Sequence, residues 1–203
     1  MYTHTKESQS NIAPHQAIEF LMEGNKRFVS NLKINRNLLQ QVNATKNGQH
    51  PFAVVLSCID SRTSAELIFD QGLGDIFSVR IAGNIVNDDI LGSMEFACKV
   101  AGAKAIVVLG HTGCGAVKGA CNHVEMGHLT GLVNKIKPAV DAIELKYPAA
   151  QNEKVDLVAT ENVHLMVNEV KNRSSIINEM LQQNQIEIIG AMYNVETGIV
   201  QFY

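Results

Sequence analysis

The stretch FAVVLSCIDSR (Phe52–Arg62) decides the fold and carries the first chemically distinctive residues of the chain. Its first half, Phe52–Ser57, is a short apolar run rich in β-branched residues, which is typical of a strand buried on both faces of a parallel sheet. Three more runs have this character: Ile76–Ile81, Ala105–Leu109 and Ile186–Met192. Helical patterns lie between the second and third strands and between the third and fourth, which predicts an α/β fold with right-handed crossovers and a mainly parallel sheet.

Apolar residues at helical spacing predict helices along most of the remaining chain. The predicted helices are Pro14–Ser30, Leu38–Thr45, Asp88–Ala101, Ala116–Val124, Leu129–Leu145 and Glu153–Gln183, the last broken near Asn172–Ser175. Gly198 predicts a closing hairpin, with Ile199–Tyr203 as an edge strand. We expect one three-layer α/β domain over residues 1–203, with a four-stranded sheet in the order 2-1-3-4, the edge strand, helices on both faces and an N-terminal helical arm. Residues 1–13 are expected to be disordered or loosely held.

A second stretch, HTGC (His111–Cys114), follows the third strand as Cys58 follows the first. In an open α/β sheet, sites form beyond the carboxyl ends of strands, where the strand order reverses. The order 2-1-3-4 places strands one and three side by side at that point. We therefore expect Cys58, His111 and Cys114 to meet in space.

Two thiols and one imidazole form a donor set that zinc favours, and three protein ligands leave a fourth position for water or substrate. Each residue alone has a simpler explanation, because cysteines are often buried in the core and histidines are usually only hydrogen-bonded. His111 and Cys114, however, are three residues apart across a Gly113 turn that opens a helix, and a helix N-terminus favours thiolate. Cys98 and Cys121 lack this context and are expected to be structural.

Asp60 and Arg62 follow Cys58 by two and four residues. They are either a surface ion pair of little energetic value or a pair in which Arg62 holds Asp60 beside the metal. In the second case Asp60 would accept a proton from metal-bound water, or, released from Arg62, would become the fourth metal ligand. The residues themselves leave these alternatives open.

Composition excludes several other classes of protein. The formal net charge is −3, so a nucleic-acid partner has no electrostatic support. No apolar run approaches the ~20 residues that cross a membrane, and the polar first residues and the few cysteines favour a reducing, cytoplasmic compartment. Gly110, Gly113 and Gly115 offer a competing anion-binding loop. Their spacing fits neither the dinucleotide fingerprint nor the P-loop.

The motifs CIDSR and HTGCG resemble the C-x-D-x-R and H-x-x-C-G motifs of the β-class carbonic anhydrases. The resemblance extends over nearly the whole chain. It includes the segments AIEFLMEGNKRF, FDQGLGDIFSVRIAGN, GSMEFACKVAGAKAIVVLGHTGCGAVKGA, ENVHLMVNEVKNRS and YNVETG. Two separated motifs and the block between them make this resemblance far more specific than a lone cysteine pair.

The resemblance implies a zinc enzyme that interconverts CO2 and bicarbonate, with zinc-bound hydroxide attacking CO2 in an apolar pocket. One zinc ion per subunit would be held by Cys58, His111 and Cys114, while Asp60 would orient the hydroxide and Arg62 would hold Asp60. The implied substrate-binding residues are Gln49, the backbone N–H of Gly115, and the apolar Phe77, Ala82 and Phe96, some reaching in from a partner subunit. A homodimer or homotetramer is implied as well.

Two alternatives remain beside this function. The same zinc site would also suit hydrolysis of another small linear molecule, such as carbon disulfide. A non-catalytic zinc-binding scaffold on the same fold is the second alternative. Asp60 and Arg62 argue against the scaffold, because a purely structural site needs neither.

Overall fold

The computed structural model describes residues 3–148 and 154–203. Within them, five strands form one sheet in the order β2-β1-β3-β4-β5. The strands are β1 (Ala53–Ser57), β2 (Ile76–Arg80), β3 (Ala105–His111), β4 (Glu187–Tyr193) and β5 (Val200–Phe202). Strands β1 to β4 are parallel, and β5 pairs with β4 in the antiparallel direction. The predicted order 2-1-3-4 with a C-terminal edge strand is therefore confirmed.

Ten α-helices are present in the described part of the chain. They are α1 (Lys6–Ser10), α2 (Pro14–Val29), α3 (Leu38–Thr45), α4 (Ala65–Ile68), α5 (Asp88–Glu95), α6 (Gly115–Cys121), α7 (Gly127–Val133), α8 (Lys137–Lys146), α9 (Lys154–Arg173) and α10 (Ser175–Gln182). A π-helical turn, Phe96–Val100, extends α5, and a 3₁₀ turn, Ala82–Asn84, follows β2.

Two of the long predicted helices are divided. The prediction of one helix over Leu129–Leu145 is wrong, because α7 ends at Val133 and α8 begins at Lys137 with Pro138 in its first turn. The predicted break near Asn172–Ser175 is confirmed, since α10 restarts with Ser174 as its N-cap and the hydroxyl of Ser174 accepts the N–H of Ile177. Glu153, where that helix was predicted to begin, lies outside the described residues.

The sheet is covered on both faces, which explains why its inner strands read as continuous apolar runs. Every residue of β1 and β3 is buried. Val54 and Leu56 face a cluster that includes residues of α5, α6, α8 and α9, whereas Val55 faces a cluster that includes residues of α2 and α4. None of the helices in residues 3–148 and 154–203 has the length and apolar character needed to cross a membrane.

The N-terminal segment is packed, so the expectation of a loosely held arm is wrong for residues 3–13. A capping box between Thr5 and Ser8 starts α1. The buried side-chain amide of Gln9 donates to the carbonyl of Pro51 at 2.6 Å and to that of Ala101 at 2.9 Å, and Ile12 is buried as well. These partners are distant in sequence, which is why the polar composition of the segment does not reveal them. Residues 1 and 2 lie outside the described residues.

Strand β3 is longer than predicted, and this affects the site. His111 was expected two residues beyond the strand, but it is the last strand residue because it pairs with Tyr193 of β4. The backbone of His111 is therefore part of the sheet, and only the following turn leaves it.

Candidate metal centre

Cys58, His111 and Cys114 converge at the carboxyl ends of β1 and β3, as predicted. Cys58 follows β1 directly, His111 ends β3, and Cys114 is the N-cap of α6. The three donor atoms lie within 4.8 Å of one another, the two sulfur atoms are 3.9 Å apart, and all three residues are buried. Two sulfur ligands of a tetrahedral zinc ion, each ~2.3 Å from the metal, lie about 3.8 Å apart. The cluster therefore has the dimensions of a tetrahedral metal site.

The imidazole of His111 has one nitrogen free for a metal. Its Nδ1 lies 2.9 Å from the carbonyl oxygen of Thr112. A carbonyl can only accept, so we assign the ring proton to Nδ1. Nε2 is buried and has no hydrogen-bond partner among the described residues. A buried lone pair without a partner is costly, and a metal ion would satisfy it.

The two thiols ionise as a pair. The hydrogen bond from Cys114 lowers the pKa of Cys58 against the effect of burial, with further help from the N–H of Gly83. The same interaction with Cys58, together with burial, raises the pKa of Cys114. Two thiolates at this distance repel each other, so the second proton leaves readily only when a cation lies between the sulfurs. A divalent metal fits this donor set.

Asp60 forms a bidentate ion pair with Arg62 beside the cluster. Arg62 donates from Nε to Oδ1 at 2.9 Å and from Nη2 to Oδ2 at 2.8 Å, and its backbone N–H donates to Oδ1 at 3.0 Å. These hydrogen bonds keep the pKa of the Asp60 carboxyl well below its usual range. The Asp60 side chain is 18% exposed and that of Arg62 is 51% exposed, so the pair lies where the cluster meets solvent.

Sequence reasoning missed the residues that hold the Cys58–Asp60 loop. Arg80, at the end of β2, donates from Nε to the carbonyl of Cys58 at 3.0 Å and from Nη2 to that of Asp60 at 2.6 Å. The hydroxyl of the buried Thr63 reaches the carbonyl of Cys58 at 3.1 Å. A signal for Arg80 was available, because the strand order places its backbone opposite Ser57.

The turn between His111 and Cys114 has an anchor that was also missed. Gly113 has a φ of +63°, a left-handed conformation that glycine adopts without strain. Its N–H donates to Oδ1 of Asp156, in the first turn of α9, at 2.8 Å. Asp156 follows Gly113 by 43 residues, and its sequence context contains no signal for this role.

Of the predicted pocket residues, two lie next to the cluster. Ala82 precedes Gly83, whose N–H donates to the sulfur of Cys58 at 3.4 Å. Gly115 begins α6 directly after Cys114, and a Cβ added there would meet no atom within 4 Å. Space is therefore open in front of its backbone.

Gln49, Phe77 and Phe96 are not brought to the cluster of their own chain. Gln49 is exposed and precedes β1, so the length of the strand, about 17 Å, separates it from Cys58. Phe77 is opposite Val54, about 13 Å before the end of the sheet where Cys58 lies. Phe96 packs edge-on against Phe77, with ring centroids 6.4 Å apart.

The sheet order and the Cys–His–Cys cluster define an α/β protein with a candidate metal centre at its switch point. The family model described as "Carbonic anhydrase" matches residues 53–200. Carbonic anhydrase 2 of Mycobacterium tuberculosis is 38% identical over 196 residues, which cover 93% of this chain and 92% of that protein. Carbonic anhydrase of Mycolicibacterium smegmatis is 37% identical over 194 residues, covering 94% of each. The chain belongs to the β-carbonic anhydrase family.

Solved structures show the same fold. The β-carbonic anhydrase CafA of Aspergillus fumigatus superposes with a TM-score of 0.77 at 23% identity, covering 92% of this chain and 90% of that one. A structure from a study of two tetrameric β-carbonic anhydrases of Sordaria macrospora gives a TM-score of 0.75 at 22% identity, covering 92% and 96%. At these identities the likeness concerns the fold.

Proposed function

We propose that the protein catalyses the reversible hydration of CO2 to bicarbonate and a proton, with zinc held by Cys58, His111 and Cys114. The observation that carries the proposal is the buried three-donor cluster, with its unpartnered imidazole nitrogen, in a chain of the carbonic anhydrase family. When bound, zinc supplies a Lewis acid that activates water, and two thiolates make it a weaker acid than a three-histidine site does. We therefore expect activity to favour alkaline conditions.

Asp60 is the residue proposed to handle the proton of the reacting water. The two hydrogen bonds from Arg62 keep its carboxylate ionised and fix its orientation. An ionised carboxylate only accepts hydrogen bonds, so it would orient the water with a lone pair directed at CO2. Arg62 also competes with the metal for Asp60, and its hold favours a site in which the fourth metal position stays open to substrate.

Stopped-flow CO2 hydration with metal-analysed protein tests this function. We expect wild type to carry one zinc per chain and to be active at alkaline pH. Asp60→Asn should keep its zinc and lose about 10–100-fold in rate, the usual effect of removing a residue that orients a metal site. Asp141→Asn, which changes an exposed carboxylate on α8, is the matched control and should behave as wild type. Zinc-loaded wild type without hydration activity would refute the proposal.

We further infer that the active form is a homodimer or homotetramer whose sites take residues from two subunits. In the described chain β2 is an edge strand, and an open strand edge is suited to pairing with another chain. Gln49 and Phe77 lie too far from their own cluster to contact substrate there. The Sordaria macrospora enzymes are described as tetrameric.

Mixed oligomers test whether a site takes Gln49 from a partner subunit, which is a separate question from whether the chains assemble. Cys58→Ser lacks a metal ligand but keeps Gln49, whereas Gln49→Ala keeps the metal ligands. If Gln49 serves the site of a partner, the mixed oligomer contains sites with both groups intact, and its activity exceeds that of either parent. If the mixed oligomer is no more active than the average of the parents, the sharing of Gln49 is excluded. A molar mass by light scattering that corresponds to one chain would exclude the oligomer itself.

A further inference from the structure

Helix α9 packs behind the candidate metal centre and contacts the backbone beside its ligands. It approaches β3 closely at Gly110, the residue before His111, where an added Cβ would lie 2.6 Å from Cγ2 of Val163. Asp156 in its first turn holds the N–H of Gly113. The third contact reaches the other side of the centre, where the 3₁₀ turn Ala82–Asn84 touches Cys58.

Asn162 makes that third contact. Its side chain is fully buried, and Nδ2 donates to the carbonyl of Gly83 at 2.9 Å. Gly83 in turn donates its N–H to the sulfur of Cys58 at 3.4 Å. Gly83 has a φ of +68°, and Cδ1 of Ile136 would lie 2.6 Å from an added Cβ. The conformation of Gly83 is therefore defined by packing on one side and by the Asn162 amide on the other.

Packing alone does not account for an amide at this position. Oδ1 of Asn162 is buried and has no hydrogen-bond partner among the described residues. Burying half of an amide without a hydrogen-bond partner destabilises the folded state, and a leucine of similar volume would avoid this cost. What the amide provides and leucine cannot is the donor to Gly83.

We propose that Asn162 is a positioning residue of the metal centre, which holds the Gly83 turn so that its N–H stays on the sulfur of Cys58. The proposal rests on the proposed function only in requiring a metal at the cluster. An N–H···S hydrogen bond draws electron density from the thiolate and fixes the direction of its remaining lone pairs. Groups that orient metal ligands in this way commonly change metal affinity 10–100-fold when they are removed.

The rest of the turn has its own anchor, so loss of Asn162 should leave the protein folded. One helical turn further along α9, the sulfur of Met166 accepts the N–H of Val86 at 3.2 Å. This contact holds the segment after Gly83 against the same helix. Removing Asn162 should therefore free the Gly83 peptide and leave the path of the chain unchanged.

The test compares Asn162→Leu with Asn25→Leu. Asn25 is also a buried amide, which donates to the carbonyls of Ile68 and Gly198 and accepts from Val200, in contact with α4 and the C-terminal hairpin. Both variants lose a buried amide of the same kind, so general destabilisation affects both. Zinc affinity is measured by competition with a chromogenic chelator, and the sulfur-to-cobalt charge-transfer band is recorded on the Co²⁺-loaded proteins.

We expect Asn162→Leu to bind zinc about 10–100-fold more weakly than wild type and to shift the charge-transfer band, whereas Asn25→Leu changes neither. A folded Asn162→Leu with the affinity and the band of wild type overturns the proposal. Asn162→Ala, which removes the donor without adding a branched side chain, is measured in the same way and serves as the test if the leucine variant does not fold.

Wild type that takes up neither metal overturns the proposed function and this inference together. Wild type that binds both metals, with Asn162 variants that match it, overturns this inference alone.

Discussion

The sulfur atoms of Cys58 and Cys114 lie 3.9 Å apart, although 56 positions separate the two residues in the sequence. The parallel pairing of β1 with β3 brings them together, because Ser57 lies opposite Leu109 and the carboxyl ends of both strands lie at the same end of the sheet. At this distance the charge of one thiolate opposes the ionisation of the other. The fold therefore brings together two thiols that can both ionise only when a cation binds between them.

Removal of the metal should lower thermal stability. A metal that binds only the folded chain stabilises it by about 4 kcal/mol when its concentration is 1,000 times the Kd. We expect the Tm of wild type to fall after dialysis against a chelator and to recover on addition of zinc. Cys114→Ser should lose this response, while Cys121→Ser, a half-buried thiol at the end of α6, should keep it. A Tm of wild type that ignores both chelator and zinc contradicts the prediction.

Arg80 should matter for activity more than an ordinary surface arginine. Arg80→Met keeps most of the stem but removes one donor from each of the carbonyls of Cys58 and Asp60, which then have only Thr63 as a donor. We expect a loss of about 1–2 kcal/mol in the free energy of unfolding, measured with urea, and a lower hydration rate in zinc-loaded protein because Asp60 loses its fixed position.

Arg173→Met is the control for Arg80. Arg173 pairs with Asp88 and Glu169 on the surface. Exposed pairs of this kind contribute less than about 1 kcal/mol. If both variants retain full activity, Arg80 has no role in positioning the loop.

Asp70 should make stability depend on pH far from the metal centre. Its carboxylate is buried and accepts from Arg27 at 2.6 Å, from Arg36 at 2.5 Å and from the N–H of Ile34. Burial raises the pKa of Asp70, but the two arginines and the N–H lower it further, and the net direction is down. A lowered folded-state pKa means that the contribution is present above the unfolded pKa of ~3.9 and is lost as the pH falls through the folded value.

Asp70→Asn should therefore cost about 3–5 kcal/mol at pH 7, because it leaves buried arginine charge without its partner. The difference from wild type should begin to shrink below about pH 4, because the unfolded wild type takes up a proton there, and should go on shrinking down to the lowered pKa of the folded state. Urea unfolding between pH 7 and pH 3 measures both. Asp88→Asn, at a carboxylate that is 94% exposed, should show neither effect. An Asp70→Asn penalty that is constant down to pH 3 would argue against the assigned role.

Two glycine substitutions should have opposite effects on stability. Gly83→Ala places a Cβ 2.6 Å from Ile136 at a positive φ, so we expect destabilisation by more than the ~1 kcal/mol of the backbone strain alone. Gly131→Ala, in the exposed interior of α7 where an added Cβ meets no atom within 4 Å, should stabilise by roughly 0.5–1 kcal/mol. Thermal unfolding of the two variants checks the signs. Equal effects would contradict the left-handed turn at Gly83.

Local patterns predicted the inner strands well because these strands are buried on both faces and read as unbroken apolar runs. The strand order was expected from a different argument, that sites form where the strand order of an open α/β sheet reverses, and this order brings Cys58 to His111 and Cys114. The N-terminal segment was misjudged because its polar residues suggest solvent, whereas Gln9 satisfies its buried amide on the carbonyls of Pro51 and Ala101. A hydrogen bond between residues so far apart in the sequence cannot be predicted from the local pattern.

The sequence by itself determined the donor types, their location at the carboxyl ends of two strands, the pairing of Asp60 with Arg62 and the family. These follow from short patterns, since strand ends and neighbouring residues are set by local chemistry. Only the tertiary structure decided that Arg80, Asp156 and Asn162 hold the backbone around the cluster, and that Gln49 and Phe77 lie away from the cluster of their own chain. Hydrogen bonds between distant segments and separations along a strand depend on how the layers pack, and no local pattern contains that information.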